Sequence, residues 1–242
     1  MTHTLLQIAT TATDNTGSYL MWGLFIALTL ISMLASKNVE RKFKKYAQIR
    51  MEGGLTGHEV AERMLLDHDI RNVQVRMVKG SLTDHYNPAD HTLNLSPDVY
   101  NGTSVAAAAV AAHECGHAVQ HATAYSWLGL RSALVPVVNF TGRYVSWVLL
   151  AGLLLVKTFP SLLLIGIALF AMSTLFSLVT LPVEINASRR ALQWIQQKEI
   201  TSRDTHPYAV SALRSAAYTY VMAAITSLAT LAYYLMIYLD RK

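Results

Sequence analysis

Four apolar stretches alternate with polar ones along this chain, near Tyr19–Ser36, Ala133–Val156, Ser161–Pro182 and Ala216–Leu239. Each is long enough for a helix that crosses a bilayer, which takes about 17 to 25 residues. No basic segment precedes the first stretch and no cleavage pattern follows it, so it reads as an anchor. Lys157–Pro160 is a short turn that folds the second and third stretches into a helical hairpin. The second stretch contains Pro136, Asn139 and Arg143. An arginine at the bilayer centre costs at least ~2.5 kcal/mol, so Arg143 is expected near an interface or paired. That helix is expected to begin outside the membrane and to enter it late.

Between the first and second stretches the pattern shortens. In "TGHEVAERMLLDH", Thr56 with Glu59 three residues on forms a capping box ahead of an amphipathic helix. "VQVRMV", from Val73 to Val78, alternates as a strand does. "GSLTDHYNPADHTLNLSP" reads as a turn and a second strand near Thr92–Leu95, which together predict a short β-hairpin. Thr103 or Ser104 then caps a long helix through "SVAAAAVAAHECGHAVQHA", whose alanines suit close approach by other elements.

Composition turns this pattern into a membrane protein. The chain has 242 residues, 52% hydrophobic and 14% charged, against roughly 25% charged in soluble domains. The formal net charge is +5, but Lys and Arg form no continuous stripe, which argues against nucleic acid. They collect beside the apolar stretches: Lys37, Arg41, Lys42, Lys44 and Lys45 after the first, and Arg189, Arg190, Lys198, Arg203 and Arg214 between the third and fourth. The positive-inside rule assigns both loops to the cytoplasm, outweighing Arg241 and Lys242. The expected organisation is an N-terminal tail and first span (1–36), a cytoplasmic domain (37–132), a transmembrane hairpin (133–182), a cytoplasmic helix (183–215) and a fourth span with its tail (216–242). The single cysteine, Cys115, forms no intrachain disulfide and reads as a small buried side chain.

The candidate chemistry lies in "AAHECGHAVQ". Positions four apart share a helix face, so His113 and His117 can aim two ring nitrogens at one zinc ion. Glu114, between them, is placed to act as general base toward a water that zinc activates. A packed alanine-rich helix would not ordinarily carry an unpaired carboxylate there, because burying one is costly. His121 continues the row but lies about 12 Å from His113 along the axis, so it reads as a surface or packing histidine. A third ligand is needed, and Glu184 in "TLPVEINASRRA" follows the third span on the side assigned to the histidines. Pro182 is expected to kink or start a helix there, and the Ser188 hydroxyl to hold a ligand in place. "TDHY" offers His85 and Tyr86, on a loop before a strand, as donors for the developing oxyanion, although Asp84–Pro88 also fits plain turn chemistry. Tyr218 and Tyr220, in "AAYTYV", fit packing against the active-site side of the bundle, and helix packing alone also explains them.

Several blocks together, "LTDHYNP", "LNLSPDVY", "AAHECGHAVQ", "LPVEINASRRAL" and "SAAYTYVMAA", resemble the YugP-like family of membrane zinc metallopeptidases, through nearly the whole chain. More distantly, the layout is similar to HtpX-type and CAAX prenyl membrane proteases. Their third ligand is the glutamate of an E-x-x-A-D helix, which maps here onto Glu184 with Ala187. The aspartate position holds Ser188, so a role copied from that aspartate is in doubt.

The expectation is a mainly α membrane protein, with four transmembrane helices and a small zincin-like α+β cytoplasmic domain containing a short β-hairpin. One Zn2+ per chain would sit on His113, His117 and Glu184. The expected activity is that of a membrane-embedded zinc endopeptidase acting on protein or peptide substrates at the cytoplasmic surface of a bacterial plasma membrane. The alternative is a non-catalytic zinc-binding scaffold or sensor, which would have no use for Glu114. Oligomeric state and natural substrate stay open.

Overall fold

The computed structural model describes residues 23–240, and of residues 2–22 the helical backbone alone. The tail, the start of the first apolar stretch at Tyr19–Trp22, and Arg241 and Lys242 lie outside the residues described with side chains. Seven helices and three strands follow in the order α1 (Thr2–Tyr46), α2 (Gly57–Asp67), β1 (Gln74–Met77), β2 (His85–Asn87), β3 (Thr92–Leu95), α3 (Pro97–Tyr100), α4 (Val105–Ala122), α5 (Ser126–Leu154), α6 (Pro160–Gln197) and α7 (His206–Leu239). Four of them, α1 from Gly23 onward, α5, α6 and α7, are long and apolar enough to cross a membrane. Their outward side chains agree with that reading: on α5, Trp147 is 73% exposed and Leu154 77%, a surface suited to lipid and not to water.

Helix α5 begins ahead of its apolar stretch, as expected, whereas α6 does not start at Pro182. Helix α5 starts at Ser126, well before the apolar stretch, so one rod carries both its polar entry and its apolar run. Arg143 lies exposed on its surface. Helix α6 runs unbroken through Pro182, which neither starts nor ends it. The missing Pro N–H frees one carbonyl a turn earlier, a loss that long apolar helices tolerate when neighbours cover them. Glu184 therefore stands mid-helix on a rigid rod.

The segment between α1 and α5 folds around α4. Thr56 and Glu59 form the expected capping box, with Glu59 N–H on Thr56 Oγ1 at 3.2 Å and Thr56 N–H on Glu59 Oε2 at 2.7 Å. Ser104 caps α4 through Ala107 N–H at 3.2 Å. The alanine run is buried, and α4 packs among α2, α6 and α7. Its core partners include Val60, Met64 and Leu65 of α2, Leu93 and Leu95 of β3, and Trp194 and Ile195 of α6. Cys115 is buried there, its thiol on Ala61 O at 3.5 Å, and burial pushes its pKa well up, so it stays protonated and inert.

The sheet corrects the strand pairing. The two strands expected to form a hairpin, β1 and β3, pair in parallel, with Gln74 opposite Thr92. The hairpin partner of β3 is β2, antiparallel, with Tyr86 opposite Leu93. Parallel pairing needs a crossover, and the residues between β1 and β3 supply it while forming β2 on the way. Three residues with a His-Tyr-Asn composition carry too little alternation to read as a strand. The order β1-β3-β2 leaves β2 at the sheet edge, beside α4.

Candidate metal centre

Helix α4 presents His113, Glu114 and His117, and α6 presents Glu184 against them. What lets the two helices approach is Gly116: a Cβ there would stand 2.7 Å from the carbonyl oxygen of Ala187. Gln120 fixes the axial register. Its amide donates to Val183 O at 2.8 Å and to Asn186 Oδ1 at 3.0 Å. Further along, Asp67 of α2 accepts from Trp194 Nε1 at 2.8 Å and from Lys198 Nζ at 3.1 Å, anchoring the end of α6.

At this crossing the Nε2 atoms of His113 and His117 stand 3.3 and 3.7 Å from one oxygen, Oε2, of Glu184. All three donor atoms lie within 4.8 Å of one another, and among the described residues this is the group that could hold a metal ion. Two ligands about 2.1 Å from a tetrahedral ion stand roughly 3.4 Å apart, close to the separations from Glu184. Glu184 Oε2 is buried without a hydrogen-bond partner. A buried carboxylate oxygen left so is costly unless something else neutralises it. Two imidazoles and a carboxylate are also a donor set that suits zinc.

The remaining atoms of the ligands are held. His113 Nδ1 faces Ser188 Oγ at 3.1 Å, and His117 Nδ1 faces Gln120 Oε1 at 3.0 Å. With each Nδ1–H donating to these oxygens, each Nε2 keeps its lone pair for a metal. Glu184 Oε1 lies 3.5 Å from Arg131 Nη1 of α5. In the protein without metal, burial pulls the pKa of His117 down, but the Glu184 and Glu114 carboxylates outweigh it, and the net direction is up.

Glu114 is nine-tenths buried, and one of its oxygens, Oε2, accepts the backbone N–H of Tyr86 at 3.1 Å. The edge strand thus meets the motif helix through a main-chain donor. A cavity of about 400 Å³ opens over these groups, lined also by His85, Arg131, Ser132 and Tyr220. The Tyr86 hydroxyl is occupied elsewhere, 2.7 Å from His121 Nδ1, and His121 stacks on His91 at 5.3 Å. Burial, helped by Asp90, raises the Tyr86 pKa, which keeps the phenol protonated. The His85 ring bonds Thr83 O at 2.8 Å and Asn94 Nδ2 at 3.3 Å.

Sequence reasoning did not single out Arg131 or Gln120 as site residues. Arg131 is a lone cation one turn into an apolar helix, the same signal that drew notice to Arg143, but only folding brings it to Glu184. Gln120 stands three residues after His117, a spacing that on a helix does allow contact.

Bilayer-length helices around a half-buried His113, a buried His117 and a buried Glu184 define a membrane-type α-helical protein with a candidate site for a single metal ion. The chain belongs to the family described as "Putative neutral zinc metallopeptidase", whose model matches residues 21–239. It is 41% identical over 223 residues to the Bacillus subtilis (strain 168) protein named "Putative membrane protease YugP", covering 90% of this chain and 98% of that relative. No solved structure matches it.

Proposed function

We propose that the protein is a membrane-embedded zinc-dependent endopeptidase that hydrolyses peptide bonds of membrane-associated proteins at the cytoplasmic surface. The observation that carries this reading is the placement of a carboxylate, Glu114, that is not among the three candidate ligands, in the same cavity as His113, His117 and Glu184. A storage or structural site has no use for such a group, and structural zinc sites have four protein ligands.

Zinc, when bound, would supply a Lewis acid and lower the pKa of a water toward about 7. His113, His117 and Glu184 would hold it. Glu114, with one oxygen steadied by the Tyr86 N–H, keeps lone pairs free to accept the proton of the attacking water. It then returns that proton to the departing amine. Arg131 and Tyr220 line the cavity and carry donors for the negative charge that grows on the carbonyl oxygen, whereas His85 also lines it but has one ring nitrogen donating to Thr83 O and the other accepting from Asn94 Nδ2. Tyr86 serves through its main chain. An extended substrate would lie along the edge of β2 that β3 leaves unpaired. The basic residues of the last turns of α1, and Arg189, Arg190, Lys198, Arg203 and Arg214 from the end of α6 to the start of α7, favour the cytoplasm for this face by the positive-inside rule.

The test is metal content and proteolysis measured in parallel on wild type and Glu114→Gln. Zinc retained and cleavage abolished in the variant is the expected result. Wild type that carries zinc but cuts no membrane-presented or soluble chain would favour the scaffold or sensor reading, and persistent cleavage by Glu114→Gln would remove Glu114 as base.

A further inference from the structure

We propose that the cleft on the α1 side of the metal donors is a subsite for one large apolar side chain, leucine, methionine or phenylalanine, beside the scissile peptide bond. The inference rests on the peptidase reading and adds the chemistry of what is cut. The donor set sits where two cavities meet. Both are lined by Asp84, His113, Glu114, Glu184 and Tyr220. Beyond those shared residues their walls differ. The larger continues toward α5, where the polar Arg131 and Ser132 stand beside Leu128 and Val135. The other, about 270 Å³, is walled by Val39 and Phe43 of α1, Val110 of α4, and Leu213, Ala216 and Ala217 of α7.

Two polar groups on this second side, Asp84 and Ser188, are hydrogen-bonded to the protein itself. Asp84 accepts from Ser96 N–H at 2.7 Å and from Ser96 Oγ at 3.1 Å, and Ser188 holds His113. A charged substrate side chain would give up its hydration among the apolar walls beyond the metal donors, whereas an apolar one gains by burial there. Phe43, Leu82, Asp84 and Val110 also line a further cavity of about 350 Å³, so the cleft extends away from the donors and leaves room for an extended segment.

Leu82 singles out this side. It lines both cavities, is 67% exposed, and sits at φ 58°, a backbone region that bulky residues rarely adopt. An apolar side chain held over the mouth of an apolar cleft at that backbone cost is covered when a substrate side chain enters beneath it.

The experiment uses the full chain, zinc-loaded, in phospholipid nanodiscs, and reads equilibrium binding, so turnover is not required. The probes are three peptide hydroxamates that differ only in the side chain beside the zinc-binding group: glycyl, leucyl and lysyl. Wild type should bind the leucyl compound about tenfold more tightly than the glycyl one, with no gain for lysyl. Ala217→Phe, which fills the cleft, and Leu82→Ser, at an exposed position, should each erase most of that preference while leaving glycyl binding within about twofold. Equal leucyl and glycyl binding, a lysyl preference, a preference that survives both variants, or failure of all three compounds to bind would overturn the subsite. A leucyl preference together with no cleavage of any peptide would instead overturn the peptidase reading and leave the subsite standing.

Discussion

A missing methyl group, at Gly116, decides how closely two helices meet. Because a Cβ there would stand 2.7 Å from the Ala187 carbonyl oxygen, Gly116→Ala must push α4 and α6 apart and lengthen the distances from His113 and His117 to Glu184. Overpacking of this kind costs about 1 to 3 kcal/mol. Zinc affinity of Gly116→Ala, read by chelator competition, should fall by at least about tenfold, with the helical circular dichroism unchanged. His117 sets the pH dependence of the same measurement. Its pKa in the metal-free protein lies above the ordinary value of about 6.5, and zinc must displace that proton. Affinity should therefore begin to fall above pH 6.5 as the solution is acidified, earlier than for a free imidazole. The sign reverses for the metal-free fold: the His117 proton stabilises it fully below about pH 6.5, and that contribution is lost as pH rises through the raised value. At this scale HECGH already points to two candidate metal ligands and a candidate base, whereas Arg131 and Gln120 acquire their meaning only from what α6 brings beside them.

Helices α2 and α6 are distant in sequence and are tied by one carboxylate. Burial opposes the charge on Asp67, but hydrogen bonds from Trp194 and Lys198 outweigh it and hold its pKa below the usual carboxylate value. A depressed folded-state pKa gives stability that is present above the unfolded value and lost as pH falls through the folded one. Wild type should thus lose an increment of stability below about pH 4. Asp67→Asn should lack that increment and be less stable at neutral pH by about 1 kcal/mol, measured by thermal unfolding at both pH values. Helix existence was legible from periodicity and caps, as at Thr56 and Ser104, because these are local interactions. The pairing of β1 with β3 was not, since a parallel partner is chosen by the path of the intervening chain and by burial of β3 on both faces.

Across the whole molecule, the proposed orientation puts both basic loops on one side of the membrane and Lys157 on the other. The single native cysteine makes this testable, because Cys115 is buried with its thiol on Ala61 O and gives little background. A membrane-impermeant maleimide added to intact bacterial cells should label Lys157→Cys and leave Arg203→Cys unlabelled until the membrane is opened. The reverse pattern would place the metal centre outside. The amino-acid order by itself determined the four bilayer-length helices and the cap positions, and it pointed to the two histidines with their glutamate and to Glu184 as candidates, because each rests on local spacing, on the charges beside the apolar stretches or on bulk transfer of apolar side chains from water. Tertiary structure alone decided that Glu184 meets both imidazoles, that α6 continues through Pro182 to reach α2, and that β2 lays an N–H against Glu114. Those outcomes depend on contacts between segments far apart in the chain, whose distances no local pattern encodes.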